Sequence, residues 1–108
     1  MNATDVLPSL DTRIRFAIKH RRLIEVRYKG ASRIAEPHDY GVQNDVERLF
    51  VYQLSGPARS SHQKAIGWRL LDTGKIEACL VLERTFPGSR GRSHQHHLAW
   101  DVLYARVG

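Results

Sequence analysis

A chain of 108 residues, 42% hydrophobic and 26% charged, is expected to form one domain with a modest core, and this composition excludes an intrinsically disordered protein. No apolar run approaches the roughly 18 residues that a membrane-spanning helix needs, and the first residues lack a basic or long apolar segment, so neither membrane insertion nor secretion is expected. A formal net charge of +6 points to an acidic partner, and a lone cysteine, Cys79, excludes an intramolecular disulfide, as expected for the cytoplasm.

Residues 1–10 read as a lead-in and 11–108 as a single domain. From Thr12 to about Arg21, the residues Ile14, Ala17 and Ile18 recur at spacings of three and four. That spacing predicts a short amphipathic helix, with Ser9 or Asp11 able to cap it and Asp11 preferred, and with Arg21 and Arg22 in its last turn against the negative end of the dipole. From Leu23 to Lys29, Ile24, Val26 and Tyr28 alternate with Glu25, Arg27 and Lys29, the pattern of a half-buried strand. Gly30-Ala31-Ser32 then turns the chain into a second strand, Arg33 to His38, ended by Pro37, which has no N–H to give a ladder. Residues 41–47 read as a polar connector. Arg48 to Leu54 is apolar on both faces and suits a central strand.

Residues 55–65, rich in Gly, Pro, Ser and polar side chains, read as a mobile loop. Beyond it, Trp68 to Leu71 and Ile76 to Leu82 flank Asp72-Thr73-Gly74-Lys75. This predicts a hairpin with Gly74 at positive φ, and a second strand in which Ile76, Ala78, Leu80 and Leu82 alternate with Glu77, Cys79, Val81 and Glu83, one face in the core. Cys79 reads as an inert core thiol. Residues 87–92 form a flexible basic segment. In the tail, Trp100, Leu103, Tyr104 and Val107 fit a helix while Leu98, Trp100, Val102 and Tyr104 fit a strand, and the helix is preferred. The sum is a mainly β chain with one short N-terminal helix, about five strands and a terminal element, expected to close into a small, strongly bent barrel.

Several of these residues resemble the opening of the WYL domain. They are Ala17-Ile18 and Arg21-Arg22 on the helix, Ile24-Glu25-Val26-Arg27-Tyr28 on the first strand, and Glu36-Pro37 on the next. Leu49-Phe50-Val51-Tyr52 stands where that family has its Trp-Tyr-Leu strand, and Trp68-Arg69 with Ile76 stands in its later arginine-bearing segment. The resemblance covers about residues 12–86 and implies an SH3-like or Sm-like barrel. It also implies a ligand-sensing module of bacterial transcription or stress regulators that answers to nucleotides or nucleic acid. Such modules are commonly attached to a helix-turn-helix. One short helix cannot supply that, so a separate DNA-binding partner protein or free-standing action is expected.

The charge is concentrated. Between Arg13 and Arg33 lie eight Lys and Arg residues against Glu25 alone, the footprint of an anionic partner. Arg69 is the leading candidate to hold an anion, because a guanidinium between large apolar residues on a strand is rigidly placed and suits phosphate. An internal pair with Asp72 or Glu36 is the alternative. Tyr52, with Tyr40 and Trp68 as alternates, is the candidate to stack a base. His38 and Tyr40 are expected at the barrel mouth, and Arg33, Arg90 and Arg92 to grip or steer phosphate. His94, His96 and His97 lack the spacing and partners of a zinc site, and Ser60, Ser61 and His62 lack an orienting acid. No metal, no cofactor and no catalysis are therefore expected. The function expected is a non-catalytic binding module for an anionic nucleotide ligand or single-stranded nucleic acid. The alternative is a protein–protein or homo-oligomerisation module using Trp100, Leu103 and Tyr104.

Overall fold

The computed structural model describes residues 7–58, 65–93 and 98–108, apart from the side chain of Arg92. Helix α1 spans Leu10–Lys19 and buries Ile14, Ala17 and Ile18, the stripe read from the sequence. Of the two residues offered as its cap, the first is used. Ser9 is the N-cap, its hydroxyl accepting from Thr12 N at 3.1 Å, while Asp11 sits inside the first turn and pairs with Arg15 one turn on. The helix stops because Arg21 adopts a left-handed backbone (φ 53°), which breaks the i→i−4 ladder without a glycine.

Six strands follow: β1 Arg22–Tyr28, β2 Ala31–Gln43, β3 Val46–Ser55, β4 Gly67–Asp72, β5 Ile76–Thr85 and β6 Val102–Arg106. They form one antiparallel sheet in the order β4-β3-β2-β1-β5, with β6 added against β2, and the sheet is open. The first two connections are two-residue turns, Lys29-Gly30 and Asn44-Asp45, with both φ angles positive in each (51° and 75°; 52° and 63°). Turns of this kind match the right-handed strand twist, so the connector expected at 41–47 shrinks to two residues and its flanks join the strands.

Pro37 does not end β2. On one side β2 pairs continuously with β3. On the other, β1 covers Ala31 to Ala35 and β6 covers Asp39 to Val42. Pro37 therefore falls where the strand changes partner, next to a register shift between Pro37 and Asp39, so its missing N–H costs no ladder bond there. Residues 35–41 are all buried, and β2 is the spine of the sheet.

The hairpin expected at 68–82 is absent. Thr73–Lys75 is a 3₁₀ turn, Gly74 has no positive φ, and β4 and β5 lie at opposite ends of the sheet. The Asp72 carboxylate instead accepts from Gly74 N at 2.9 Å and shapes the turn. Asp72 N donates to the Tyr28 hydroxyl at 3.1 Å. In a flat sheet β4 and β1 would lie three strand spacings apart, roughly 14 Å, too far for one side chain to bridge. The bond therefore reports strong curvature. On β5 the face carrying Cys79 is the buried one: Cys79 is buried, as expected of a core thiol, and Leu80 is 59% exposed. Tyr28 opposes Ile76 while Arg27 opposes Ala78, so Glu77 is an extra residue and the alternation changes face beyond it. Burial pushes the Cys79 thiol up, opposed in part by Arg13.

The tail is a strand and not a helix. Because β1 leaves β2 at Ala35, the edge from Asp39 to Val42 presents unpaired backbone groups, and β6 satisfies them. Arg106 pins β6 with two bonds to Asp39 (2.9 and 3.0 Å), and Trp100 Nε1 donates to the same carboxylate at 3.2 Å. The seat requires glycine at 41, where a Cβ would stand 2.1 Å from the Val102 carbonyl oxygen. Gly41→Ala is expected to cost about 1–3 kcal/mol by forcing β6 away. A thermal melt, with hydrogen exchange at residues 102–106, checks this; unchanged protection there would contradict the seating. Among the described residues no helix is long and apolar enough to cross a membrane.

Candidate functional site

The curvature that brings β4 towards Tyr28 opens a cleft of about 550 Å³ beside the β1–β2 turn. Tyr28, Lys29, Ala31 and Arg33 form one wall, Arg69, Leu70 and Leu71 of β4 the other, and Pro57 and Ala58 the rim. Among the described residues three cationic side chains line it, and no Asp or Glu does. Arg33 and Arg69, distant in sequence, thus meet in one cavity, and Lys29 joins them from the turn.

Each arginine is held in place. Arg69 donates through Nη1 to Trp68 O at 2.8 Å and through Nη2 to Ala65 O at 3.5 Å. Arg33 donates through Nη1 to Gln53 Oε1 at 3.1 Å and through Nη2 to Tyr28 O at 3.4 Å, with its Cζ 5.5 Å from the Tyr28 ring centroid. Its Nε is buried without a hydrogen-bond partner among the described residues. The Lys29 ammonium lies 5.8 Å from the same ring. The acceptors named here for the two guanidiniums are neutral oxygens, which suits a cavity that receives an anion.

Gln53, fully buried on β3, is a residue the sequence reading passed over. Its Oε1 accepts from Arg33, and its Nε2 donates to Pro57 O at 2.9 Å and Ala65 O at 2.6 Å. One amide thus fastens both ends of the 57–65 segment to the Arg33 side of the cleft. A signal was present: Gln53 is the lone amide in the otherwise apolar run Leu49 to Leu54, and such a group must find partners when buried.

The other expected site residues lie elsewhere. Tyr52 is partly buried, but the Arg90 guanidinium covers its ring at 3.6 Å and Trp68 meets it edge-on at 5.1 Å. Trp68 in turn stacks on Phe50 at 4.6 Å. Arg90 grips Glu36 with two bonds, 2.8 and 2.9 Å, which raise the guanidinium pKa further above its ordinary value. His38 does not line a mouth: it is fully buried, with Nε2 3.0 Å from Glu36 Oε1 and its ring against Trp68 and Phe86. The continuation of β2 through Pro37 carries it inside. Arg90, Glu36 and His38 form an internal clasp that ties the segment after β5 to β2. The Arg92 side chain, Ser60, Ser61 and His62, and His94, His96 and His97 lie outside the described residues. Among the described residues no group of three or more His, Cys, Asp or Glu is placed to hold a metal ion.

Tyr40 is also internal, 1% exposed, for the same reason as His38. Its hydroxyl donates to Asp11 Oδ1 at 2.8 Å, and burial, followed by that bond, pushes the phenol well above its usual range. The Tyr40 bond, together with Arg15, holds Asp11 below the ordinary carboxylate value against a smaller opposing effect of burial. A lowered carboxylate pKa contributes stability above about pH 4, and that contribution is lost as pH falls through the lowered value. Asp11 is half exposed, so the gain is expected to stay below about 1 kcal/mol. The native protein should melt slightly above Asp11→Asn at neutral pH and converge with it as pH falls below the ordinary carboxylate range; a gap that does not narrow on acidification would contradict the assignment.

The basic run from Arg13 to Arg33 does not act as one patch. Arg13 donates to the Cys79 carbonyl, Arg22 to the Leu82 carbonyl, Arg15 pairs with Asp11, and Arg27 lies 4.0 Å from Glu77. Lys29 and Arg33 are the members that reach the cleft. Comparison of the chain with protein-family models, with curated proteins and with solved structures finds no match.

Proposed function

We propose that this chain is a non-catalytic binding module that takes an anionic nucleotide ligand or single-stranded nucleic acid into the cleft of Lys29, Arg33 and Arg69. The observation that carries the reading is the convergence of these three cations on one cavity whose lining, among the described residues, holds no carboxylate. The two guanidiniums stand on strands and are braced by neutral acceptors, so little ordering remains to be done on binding. In this reading the curved sheet is a small SH3-like barrel. The order β4-β3-β2-β1-β5, with a 3₁₀ turn carrying the chain between its two ends, supports that reading. A role in bacterial transcription or stress regulation, alone or beside a DNA-binding partner protein, follows the WYL resemblance.

The test is the salt dependence of binding to a random single-stranded oligonucleotide. Each phosphate neutralised adds about 0.7 to the slope of log affinity against log salt, so three cations give a slope of about 2. Affinity independent of salt would overturn the proposal. A second reading, self-association through the tail, rests on Val102 and Leu103, which are 51% and 40% exposed on β6. Sizing across protein concentration distinguishes the two: a concentration-dependent dimer without oligonucleotide binding would select the second.

A further inference from the structure

Resting on that reading, we infer that the cleft takes a base together with its phosphate, and reads the pairing edge of the base with the backbone N–H and C=O of Leu70. The direction of these two groups follows from the ladder, because successive residues of an antiparallel strand turn their N–H and C=O to opposite neighbours. Val42 O accepts from Asp101 N at 2.9 Å and His38 O from Val107 N at 2.8 Å, so these residues of β2 face β6. Asp39 and Gly41, in between, face β3, opposite Phe50 and Arg48. Leu49 and Val51 then face β4, opposite Leu71 and Arg69, and Leu70 turns its N–H and C=O away from β3. Asp72, two positions on, agrees: its N–H leaves the ladder for the Tyr28 hydroxyl. β4 ends the sheet, no strand lies across that edge among the described residues, and Leu70 lines the cleft.

An open edge is also where an extended peptide adds as a strand, but that needs a succession of outward groups. Here the groups on both sides of Leu70 are engaged. Trp68 O accepts from Nη1 of Arg69 at 2.8 Å, and Asp72 N donates to the Tyr28 hydroxyl at 3.1 Å. One donor and one acceptor of the same residue remain, in a cavity shared with Lys29, Arg33 and Arg69. That is too little for a strand and matches a base, which carries a donor next to an acceptor on its pairing edge. The cations take the phosphate joined to that base. The cavity, about 550 Å³, is within the range of small-ligand pockets, roughly 300–1,000 Å³. All four bases offer such a pair, so the site separates base-bearing from base-free phosphates rather than one base from another.

The experiment measures the full chain against three labelled, 5′-phosphorylated oligomers of one length at one salt concentration: oligothymidylate, its N3-methylated counterpart and an abasic phosphodiester. N3-methylation removes the edge donor and leaves the phosphates and the ring faces in place. Two neutral hydrogen bonds should make oligothymidylate bind about 5- to 150-fold tighter than either of the others. Leu70→Pro deletes the outward N–H, which no ladder bond uses, and is expected to narrow that preference at least about threefold with abasic binding kept. Leu70→Val, which keeps the N–H, should retain the preference. If Leu70→Pro fails to fold in a thermal melt, the three oligomers on the native protein still decide. A methylated oligomer bound as tightly as oligothymidylate would point to stacking and overturn this inference, leaving the anion-binding module standing. Equal binding of the abasic oligomer would do the same. No binding of any oligomer would overturn both.

Discussion

Arg69→Ala is expected to weaken oligonucleotide binding about 10- to 100-fold, the loss of one or two charge-assisted hydrogen bonds at about 1.5–3 kcal/mol. The salt slope should fall by about 0.7 at the same time, because one fewer phosphate is neutralised. Arg69→Lys should recover part of the affinity and all of the slope, since it restores the charge but not the two-pronged geometry. Folding should survive, because Arg69 is only half-buried on β4 and its bonds to the Trp68 and Ala65 carbonyls can be replaced by water in the open cleft. Titrations at three or four salt concentrations, with a thermal melt of each variant, check all of this. Unchanged affinity in a folded Arg69→Ala protein would remove the cleft from consideration.

The largest loss of stability is expected at Glu36. Its carboxylate is 4% exposed and takes two bonds from Arg90 besides the His38 contact. Glu36→Ala leaves a cation partly buried without its counter-charge, which costs about 3–5 kcal/mol. For a domain of this size that lowers the melting temperature by on the order of 15 °C. Arg90→Ala should cost a comparable amount, because it leaves the buried Glu36 carboxylate without its cation and with only the His38 contact named here. The double variant should be no worse than Glu36→Ala, since both act on one clasp. Additive losses would mean that the two residues stabilise the fold separately.

The roles of these two arginines illustrate how far residue type reaches. Both are guanidiniums near apolar or flexible segments, and sequence reasoning offered both to a ligand. Arg90 instead lies over Tyr52 and against Glu36, while Arg69 reaches the cleft with Arg33. No local pattern separates these fates, because each depends on which strand lies across the sheet. The same holds for Tyr52. Its aromatic character was visible, but the guanidinium covering it comes from a segment almost forty positions later.

What the chain alone determined was local: the buried stripe of α1, the alternation of β1, and the presence of mainly β structure with a cationic excess. These rest on side-chain periodicity and charge, which need no knowledge of neighbours. Tertiary structure decided the rest. β2 runs through Pro37 because its partner changes there, the tail becomes β6 because that edge of β2 needs pairing, and the alternation of β5 changes face because of one extra residue against β1. Backbone hydrogen bonds between distant segments carry no trace in local composition. The cleft exists only because the bent sheet brings β4 to Tyr28.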